Sequence, residues 1–385
     1  MTVFVFMPAL ILSTHKIVER LRHKNFLPDL HPFGRLASRT MFPLVCVFAV
    51  AILPSYLASN SNSFYYGASE IFGPETQLGA DRQAIEAVFG KNDTYVLMVP
   101  DGSPANERAL SDALHELPAV KSILSYTDTV GSEILTAYLD EKTLSQLVSD
   151  DYTRMVLTVE VDDEGEAAFA LVEQIRRAAE ELYPGSSYLA GKGVSTYDLM
   201  DFTTADMVKV NLIAIGAVFV VLLFSLKSLL LPVILALAIE TAIWINLAVP
   251  YFCDSVIFYI SYLIISSVQL GATVDYAILF TDRYMEYRQT MGKRDSAVQT
   301  VSSVTVSILT SGTLLTVVGF LLGYISTHGI LSQLGIFLGR GTLLSMIIVL
   351  FVLPGMLYLF DGLIRRTTIG TNWYEAAPQQ EVLTP

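Results

Sequence analysis

One carboxylate stands inside a long apolar stretch of this sequence. Asp275 follows residues 256–270, which are nearly all apolar or hydroxylic, and precedes the wholly apolar residues 277–280. A helix over 256–280 has the roughly 20 residues that a bilayer crossing needs. Because a charge inside such a helix costs on the order of 3 kcal/mol or more, it is usually kept for a function. The position therefore predicts that the Asp275 carboxyl group binds and releases a proton within a membrane.

Polar residues surround this carboxylate at helical spacing. Ser267, Gly271 and Asp275 are four residues apart, so they share one helix face. Tyr276 follows directly and could donate or accept a hydrogen bond beside Asp275, and Gly271 would let another helix approach closely. Lipid cannot satisfy such a polar face, so it must meet protein or water. The alternative is a structural carboxyl group that is hydrogen-bonded to a neighbouring helix.

A second acid, Glu240, lies near the middle of the apolar segment 229–250. Three roles are open to it: a proton relay, a paired structural group, or the lining of a water cavity. Arg340 is a cation in the last apolar segment, 335–359. We expect its side chain either to reach the membrane surface or to pair with an acid.

Hydroxyl groups are dense in the next apolar segment, 304–322. Those of Thr310 and Ser311 could hydrogen-bond Asp275 or line a path for protons. The alternative is that they hold helices together, which serine and threonine commonly do in membranes.

The composition is that of a polytopic membrane protein. Hydrophobic residues make up 52% of the 385 residues and charged residues only 16%, against about 25% charged in soluble domains. The net charge of −13 argues against nucleic acid as a partner. Residues 60–206 hold 26 Asp and Glu against 9 Lys and Arg, whereas the whole chain holds 37 against 24. The remainder is therefore basic, and its cations fall mostly in short connections.

These patterns predict a helical membrane bundle that carries one α/β domain. The apolar segments give six full crossings and a partial helix at the N-terminus. Basic connections lie on the cytoplasmic side, which puts the acidic domain outside the cell membrane. The predicted parts are a partial helix with a cytoplasmic linker (1–40), the first crossing (41–57), the extracytoplasmic domain (58–206), a five-helix membrane region (207–366) and a cytoplasmic tail (367–385).

Short β-rich runs alternate with helical runs in the outer domain. Strands are predicted over 94–99, 120–126, 154–161 and 187–190, and helices over 106–117, 141–148 and 165–182. Strands joined by helical crossovers indicate split β-α-β units of ferredoxin-like type. The polar residues 282–301 predict an amphipathic helix on the inner membrane surface.

Signatures of enzymes and metal sites are missing from the sequence. It has no phosphate-binding Gly-rich loop, no nucleophile elbow, and no Cys/His cluster with metal-ligand spacing. We therefore expect no enzymatic activity, no cofactor and no metal.

The two ends of the chain resemble each other. Residues 3–12 match residues 349–358 around Pro8 and Pro354, and both runs continue into cations. Duplicated transporters have halves related in this way. The match predicts that the chain begins inside the last helix of a first half; a chance match of two apolar runs is the alternative.

The segment Gly271-Ala-Thr-Val-Asp275-Tyr276, followed by Arg283-Tyr-Met-Glu286, resembles the Gly-x-x-x-Asp-Tyr element of the MMPL branch of the resistance–nodulation–division (RND) superfamily. That element lies in the fourth helix of each half of those proteins. Residues 189–206 and 224–232 resemble the junction between their outer porter domain and the membrane, and Leu353-Pro354 resembles their terminal helix.

This resemblance implies export of lipids or other hydrophobic compounds, driven by the proton-motive force. It implies that Asp275 and Tyr276 couple protons to transport. A full member has two halves, each with an Asp-Tyr pair, and this chain is similar to the C-terminal half. Its partner would be the missing N-terminal half or a homologous second chain.

Two functions of other classes remain open. One is a non-transporting lipid-sensing or scaffold module, in which Asp275 would not need to titrate. The other is an accessory subunit of protein translocation, which would crosslink to the translocation machinery.

Overall fold

The computed structural model describes residues 6–20, 31–67, 70–129, 145–149, 151–370 and 373. The helices are α1 (Met7–Arg20), α2 (His31–Ser59), α3 (Gln77–Phe89), α4 (Pro104–His115), α5 (Tyr126–Thr129), α6 (Glu166–Leu182), α7 (Lys192–Leu226), α8 (Leu230–Phe252), α9 (Tyr259–Arg288), α10 (Lys293–Ile325), α11 (Gly329–Ile347) and α12 (Leu353–Thr367). The strands are β1 (Phe64–Tyr65), β2 (Asp93–Pro100), β3 (Val120–Leu124), β4 (Tyr152–Val159), β5 (Tyr188–Gly191) and β6 (Ile257–Phe258).

Six helical segments in the described ranges are long and apolar enough to cross a membrane. They are α2, α7, α8, α9, α10 and the continuous run from α11 to α12. The chain is therefore a polytopic helical membrane bundle, as its hydropathy predicts. Four of these segments begin earlier than predicted: α2 at His31 instead of 41, α7 at Lys192 instead of 207, α10 at Lys293 instead of 304, and α11 at Gly329 instead of 335.

The surface helix predicted over 282–301 is not formed. Helix α9 continues to Arg288 and α10 begins at Lys293, so only a turn separates the two. The polar residues of this range belong to the ends of two long helices. An isolated polar stretch has the same composition in either case, so composition could not distinguish a surface helix from two helix ends.

The predicted strands of the outer domain form one antiparallel sheet with the order β3-β4-β2-β5. Alternate residues of β2 are fully buried: Tyr95, Leu97 and Val99. That alternation is the period of a strand with one covered face. Helices α4 and α6 cover the face, with Leu110 and Ile175 among their buried residues. Of the helix predicted over 141–148, residues 141–144 lie outside the described residues and residues 145–147 are helical.

A two-stranded ribbon ties this domain to the bundle. Strand β1 follows α2 and pairs in parallel with β6, which directly precedes α9. The carboxylate of Glu164 accepts hydrogen bonds from the backbone N–H groups of Tyr66 (3.0 Å) and Gly67 (2.9 Å). Burial raises the pKa of Glu164, while these two N–H groups favour its charged form. The ring of Tyr66 stacks on Tyr259 at the start of α9, 5.1 Å between centroids.

Helices α10 and α11 touch through four glycines. A Cβ atom on Gly319 would lie 2.5 Å from the Gly339 nitrogen, and one on Gly335 would lie 2.6 Å from the Gly319 carbonyl oxygen. A Cβ atom on Gly323 would lie 3.0 Å from the nitrogen of Ile336. Each helix thus uses a Gly-x-x-x-Gly pair, the spacing that lets helix backbones approach closely in membranes.

The last crossing changes its helical winding between α11 and α12. Residues Ile348–Val352 form a π-helical segment, in which the Leu353 N–H donates to the Ile348 carbonyl. Pro354 follows and has no N–H to continue the regular ladder. Beyond it, Gly355 lies against α2, where a Cβ atom would stand 2.9 Å from the Met41 carbonyl oxygen.

We expect Gly335→Ala to destabilise the bundle by about 1–3 kcal/mol, because the added methyl group meets backbone that cannot give way. Gly362→Ala in α12 is the matched control, since a Cβ atom there meets nothing within 4 Å. Alanine favours a helix over glycine by about 1 kcal/mol, so the control should be neutral or stabilising. Thermal unfolding in detergent micelles measures both, and equal melting temperatures would contradict the glycine contact.

Candidate functional site

Asp275 lies on an open face of α9. Ser267 and Gly271 share this face, as their spacing predicts, and all three residues are exposed. Among the described residues, no atom lies within 4 Å of where a Cβ atom of Gly271 would stand. The close helix approach expected at Gly271 is therefore not made within the described part of this chain. The face holds a carboxylate and a hydroxyl group and is open along its length.

Tyr276 points away from that face. Its side chain is 8% exposed and belongs to the hydrophobic core of the bundle. Consecutive residues of an α-helix are rotated by about 100°, so neighbours in sequence do not face each other. The structure thus puts Asp275 at the outside of the bundle and Tyr276 inside it. The side-by-side hydrogen bond expected between them is not formed.

The hydroxyl groups predicted to serve Asp275 are used within α10. Thr310 Oγ1 donates to the Val306 carbonyl oxygen at 2.7 Å, and Ser311 Oγ donates to that of Ser307 at 2.9 Å. Each hydroxyl has one hydrogen, so neither donates to Asp275 in this arrangement. Both residues are nevertheless exposed on a helix that packs against α9.

Glu240 lines a small cavity between α7, α8 and α9. The cavity measures about 30 Å³, which is enough for a water molecule. Its polar lining comes from all three helices: Asn211, Glu240, Tyr262, Ser266 and Ser267. Of the roles open to Glu240, this geometry favours the lining of a water cavity. Ser267 also belongs to the open face of Asp275, so it borders both the cavity and that face.

Arg340 forms neither of the contacts expected of it. Its Nε donates to Asn246 Oδ1 at 2.7 Å, and its Nη2 donates to the Asn246 carbonyl oxygen at 2.8 Å. Asn246 Nδ2 donates in turn to Gln269 Oε1 at 2.8 Å. Asn246 and Gln269 are fully buried. The network joins α8, α9 and α11, and in the described part of the chain Arg340 makes no ion pair.

A proline explains why Arg340 bonds a backbone carbonyl. Pro250 lies inside α8, four residues after Asn246. In a regular helix the residue at 250 would donate its N–H to the Asn246 carbonyl, but proline has none. The guanidinium group of Arg340 supplies that donor from α11.

A buried ion pair at the other end of the bundle was not predicted. Arg288 Nε and Nη2 donate to the two oxygens of Asp361 at 2.8 and 3.0 Å, and the Tyr284 hydroxyl donates to Oδ1 at 3.0 Å. Both charged side chains are almost fully buried, and the Trp373 ring lies 5.1 Å from the guanidinium carbon. In the sequence, the sign of this ion pair was Asp361, an acid two residues after the predicted end of the last crossing.

A model of the MMPL family matches residues 73–380, which cover most of the sheet domain and five of the six segments that could cross a membrane. A search of curated proteins gives no match.

We expect Arg340→Met to cost about 1–3 kcal/mol, because it leaves buried oxygens of Asn246 without a donor. In a Pro250→Ala background the cost should fall, since Ala supplies the missing N–H. A double-mutant cycle measured by unfolding in mixed micelles should give a coupling of about 0.5–3 kcal/mol. Arg294→Met, at an exposed cation of α10, is the control and should change stability by less than about 0.5 kcal/mol. Strictly additive effects of the two substitutions would exclude this role of Arg340.

Proposed function

The chain belongs to the MMPL family of RND-type membrane transporters, and we propose that it is one half of an exporter driven by the proton-motive force. The substrates of this exporter are lipids or other hydrophobic compounds. The chain acts as the C-terminal half, in the cell membrane, and works together with an N-terminal half or a homologous second chain. It transports and does not catalyse a reaction, and it needs no cofactor.

The open face of α9 is the observation that carries this proposal. A charged Asp275 facing hydrocarbon would cost on the order of 3 kcal/mol or more, and Ser267, about two turns away on the same face, is also exposed. Other polar groups of the bundle, such as Gln269, are buried and bonded within the chain. The contrast favours a second bundle that covers the face containing Asp275. Gly271 lets a helix of that bundle come close.

Coupling in this proposal uses the opposite orientations of Asp275 and Tyr276. Protonation of Asp275 removes a negative charge at the contact between the two halves. Tyr276, one residue on, is packed in the core, so a shift of α9 at that contact moves the bundle interior with it. Proton binding from one side of the membrane and release to the other would then drive the rocking of one half against the other.

We further propose that the sheet domain is a ferredoxin-like porter domain outside the cell. Support comes from the order of its four strands and of the two helices that cover them, β2-α4-β3-β4-α6-β5. The antiparallel sheet order, which puts the first and third of these strands at the centre, supports it too. Cations gather at the opposite end of the bundle: Lys293, Arg294, Arg365 and Arg366. That asymmetry supports a cytoplasmic location for this end and for residues 367–385.

We expect Asp275→Asn to abolish export by the complete transporter, because asparagine cannot exchange a proton. Asp282→Asn is the matched control: it removes an exposed carboxyl group near the end of the same helix and should leave export unchanged. Export of a labelled lipid substrate from cells, normalised to the amount of protein in the membrane, measures both variants. Normal export by Asp275→Asn would contradict the role of Asp275 in proton coupling and favour the lipid-sensing or scaffold module.

We expect this chain, reconstituted alone in liposomes, not to dissipate an imposed proton gradient, since half of the coupling site is absent. A pH-sensitive dye inside the liposomes reports the gradient, and chemical crosslinking reports the oligomeric state. Proton-coupled flux by a monomeric chain would refute the half-transporter. Flux by a crosslinked dimer would instead identify a second copy as the partner.

A further inference from the structure

The cavity at Glu240 is a polar site in the middle of the bundle. Glu240 is the tenth residue after the start of the 23-residue helix α8. The cavity beside it is bordered by the amide group of Asn211 on α7, and by the phenol of Tyr262 and the hydroxyl groups of Ser266 and Ser267 on α9. These groups donate and accept hydrogen bonds, and the volume of about 30 Å³ admits a water molecule between them.

Within the described part of the chain, no cation lines the cavity at Glu240. No Lys, Arg or His is among its lining residues, and Tyr262 is its only other titratable group. Tyr56 of α2 contacts Trp244, one turn along α8. Two charged groups on other helices packed against α8 have partners elsewhere: Arg340 of α11 bonds Asn246, and Asp361 of α12 bonds Arg288. An unpaired carboxylate in such a site is costly, so the carboxyl group is suited to hold a proton.

We propose that Glu240 is a second proton-binding site, connected to Asp275 by the open face of α9. This inference rests on the proposed function, and it makes Asp275 one of two carboxyl groups that a proton visits within this chain.

The connection follows the face defined by Ser267, Gly271 and Asp275. Ser267 lies in the wall of the cavity and at one end of this face. Its hydroxyl group donates to the Leu263 carbonyl at 3.2 Å, which leaves its oxygen free to accept from water. Asp275 is eight residues further, about 12 Å along the helix, so water must bridge the gap.

The transfer balances as a proton relay. The O–H bond of the Glu240 carboxyl group breaks and its proton passes to a bridging water molecule. Successive water molecules each accept one proton and release another, and the last gives its proton to the Asp275 carboxylate, where a new O–H bond forms. The negative charge thereby moves from Asp275 to Glu240, and no electrons are exchanged. Asp275 then releases its proton to water on one side of the membrane, and Glu240 takes up another from water on the other side.

Infrared difference spectroscopy of the purified full chain between acidic and alkaline pH tests whether Glu240 titrates. We expect a carboxyl C=O band that is lost in Glu240→Gln and kept in Asp275→Asn and Asp282→Asn. Glu240→Asp retains a carboxyl group, so its band should remain at a shifted position, which distinguishes loss of the group from loss of the fold. A spectrum unchanged by Glu240→Gln overturns the proposal.

Export by the complete transporter separates this inference from the function on which it rests. We expect Glu240→Gln to lose proton-coupled export, while Asp282→Asn, at an exposed carboxyl group of α9, leaves it unchanged. Loss of export in Asp275→Asn with wild-type export in Glu240→Gln would overturn the relay and leave the proposed function intact. Wild-type export in Asp275→Asn would overturn the proposed function itself, whatever Glu240→Gln does.

Discussion

A polar group inside hydrocarbon must find its partner within the protein, because lipid offers none. The contacts between helices in this bundle follow from that constraint. Pro250 leaves the Asn246 carbonyl without a donor, and Arg340 supplies one from another helix. Arg288 and Asp361 neutralise each other at the far end. Each of these hydrogen bonds also determines which two helices meet. Hydrogen bonding thus directs helix association here, as the hydrophobic effect directs packing in water-soluble cores.

Close packing supplies the rest of the cohesion. Apolar side chains gain little by leaving lipid for protein, so membrane helices associate where their surfaces fit tightly. The glycines of α10 and α11 bring two backbones into contact. Gly341 continues this principle two residues beyond Gly339: a Cβ atom there would stand 2.6 Å from Asn246 Nδ2. The small residues of α11 thus leave room for the polar network that Arg340 completes.

Local patterns predicted the elements but not their partners. The alternation of apolar and polar residues predicted the strands of the sheet domain, and the length of the apolar segments predicted the six crossings. Arg340 and Asn246 are 94 residues apart, and nothing in either segment specifies that they meet. The Gly-x-x-x-Gly pairs at 319 and 335 are visible in the sequence, yet their register against each other depends on the turn between α10 and α11. The spacing predicted that Asp275 shares a face of α9 with Ser267 and Gly271. Whether other helices of the chain cover that face depends on the tertiary structure, which the spacing does not specify.

Asp275 and Glu240 differ in which part of the protein surrounds them, and this difference affects how each could bind a proton. Asp275 lies on an open face, where its charge can be compensated only by what covers that face. Glu240 lies in a cavity lined by α7, α8 and α9, so most of its surroundings come from this chain. A proton on Glu240 would therefore be held mainly by groups of this chain, and a proton on Asp275 under conditions set by the contact. Two sites governed separately in this way let movement of the contact change the proton affinity of one and not of the other, which is what a coupled transporter requires.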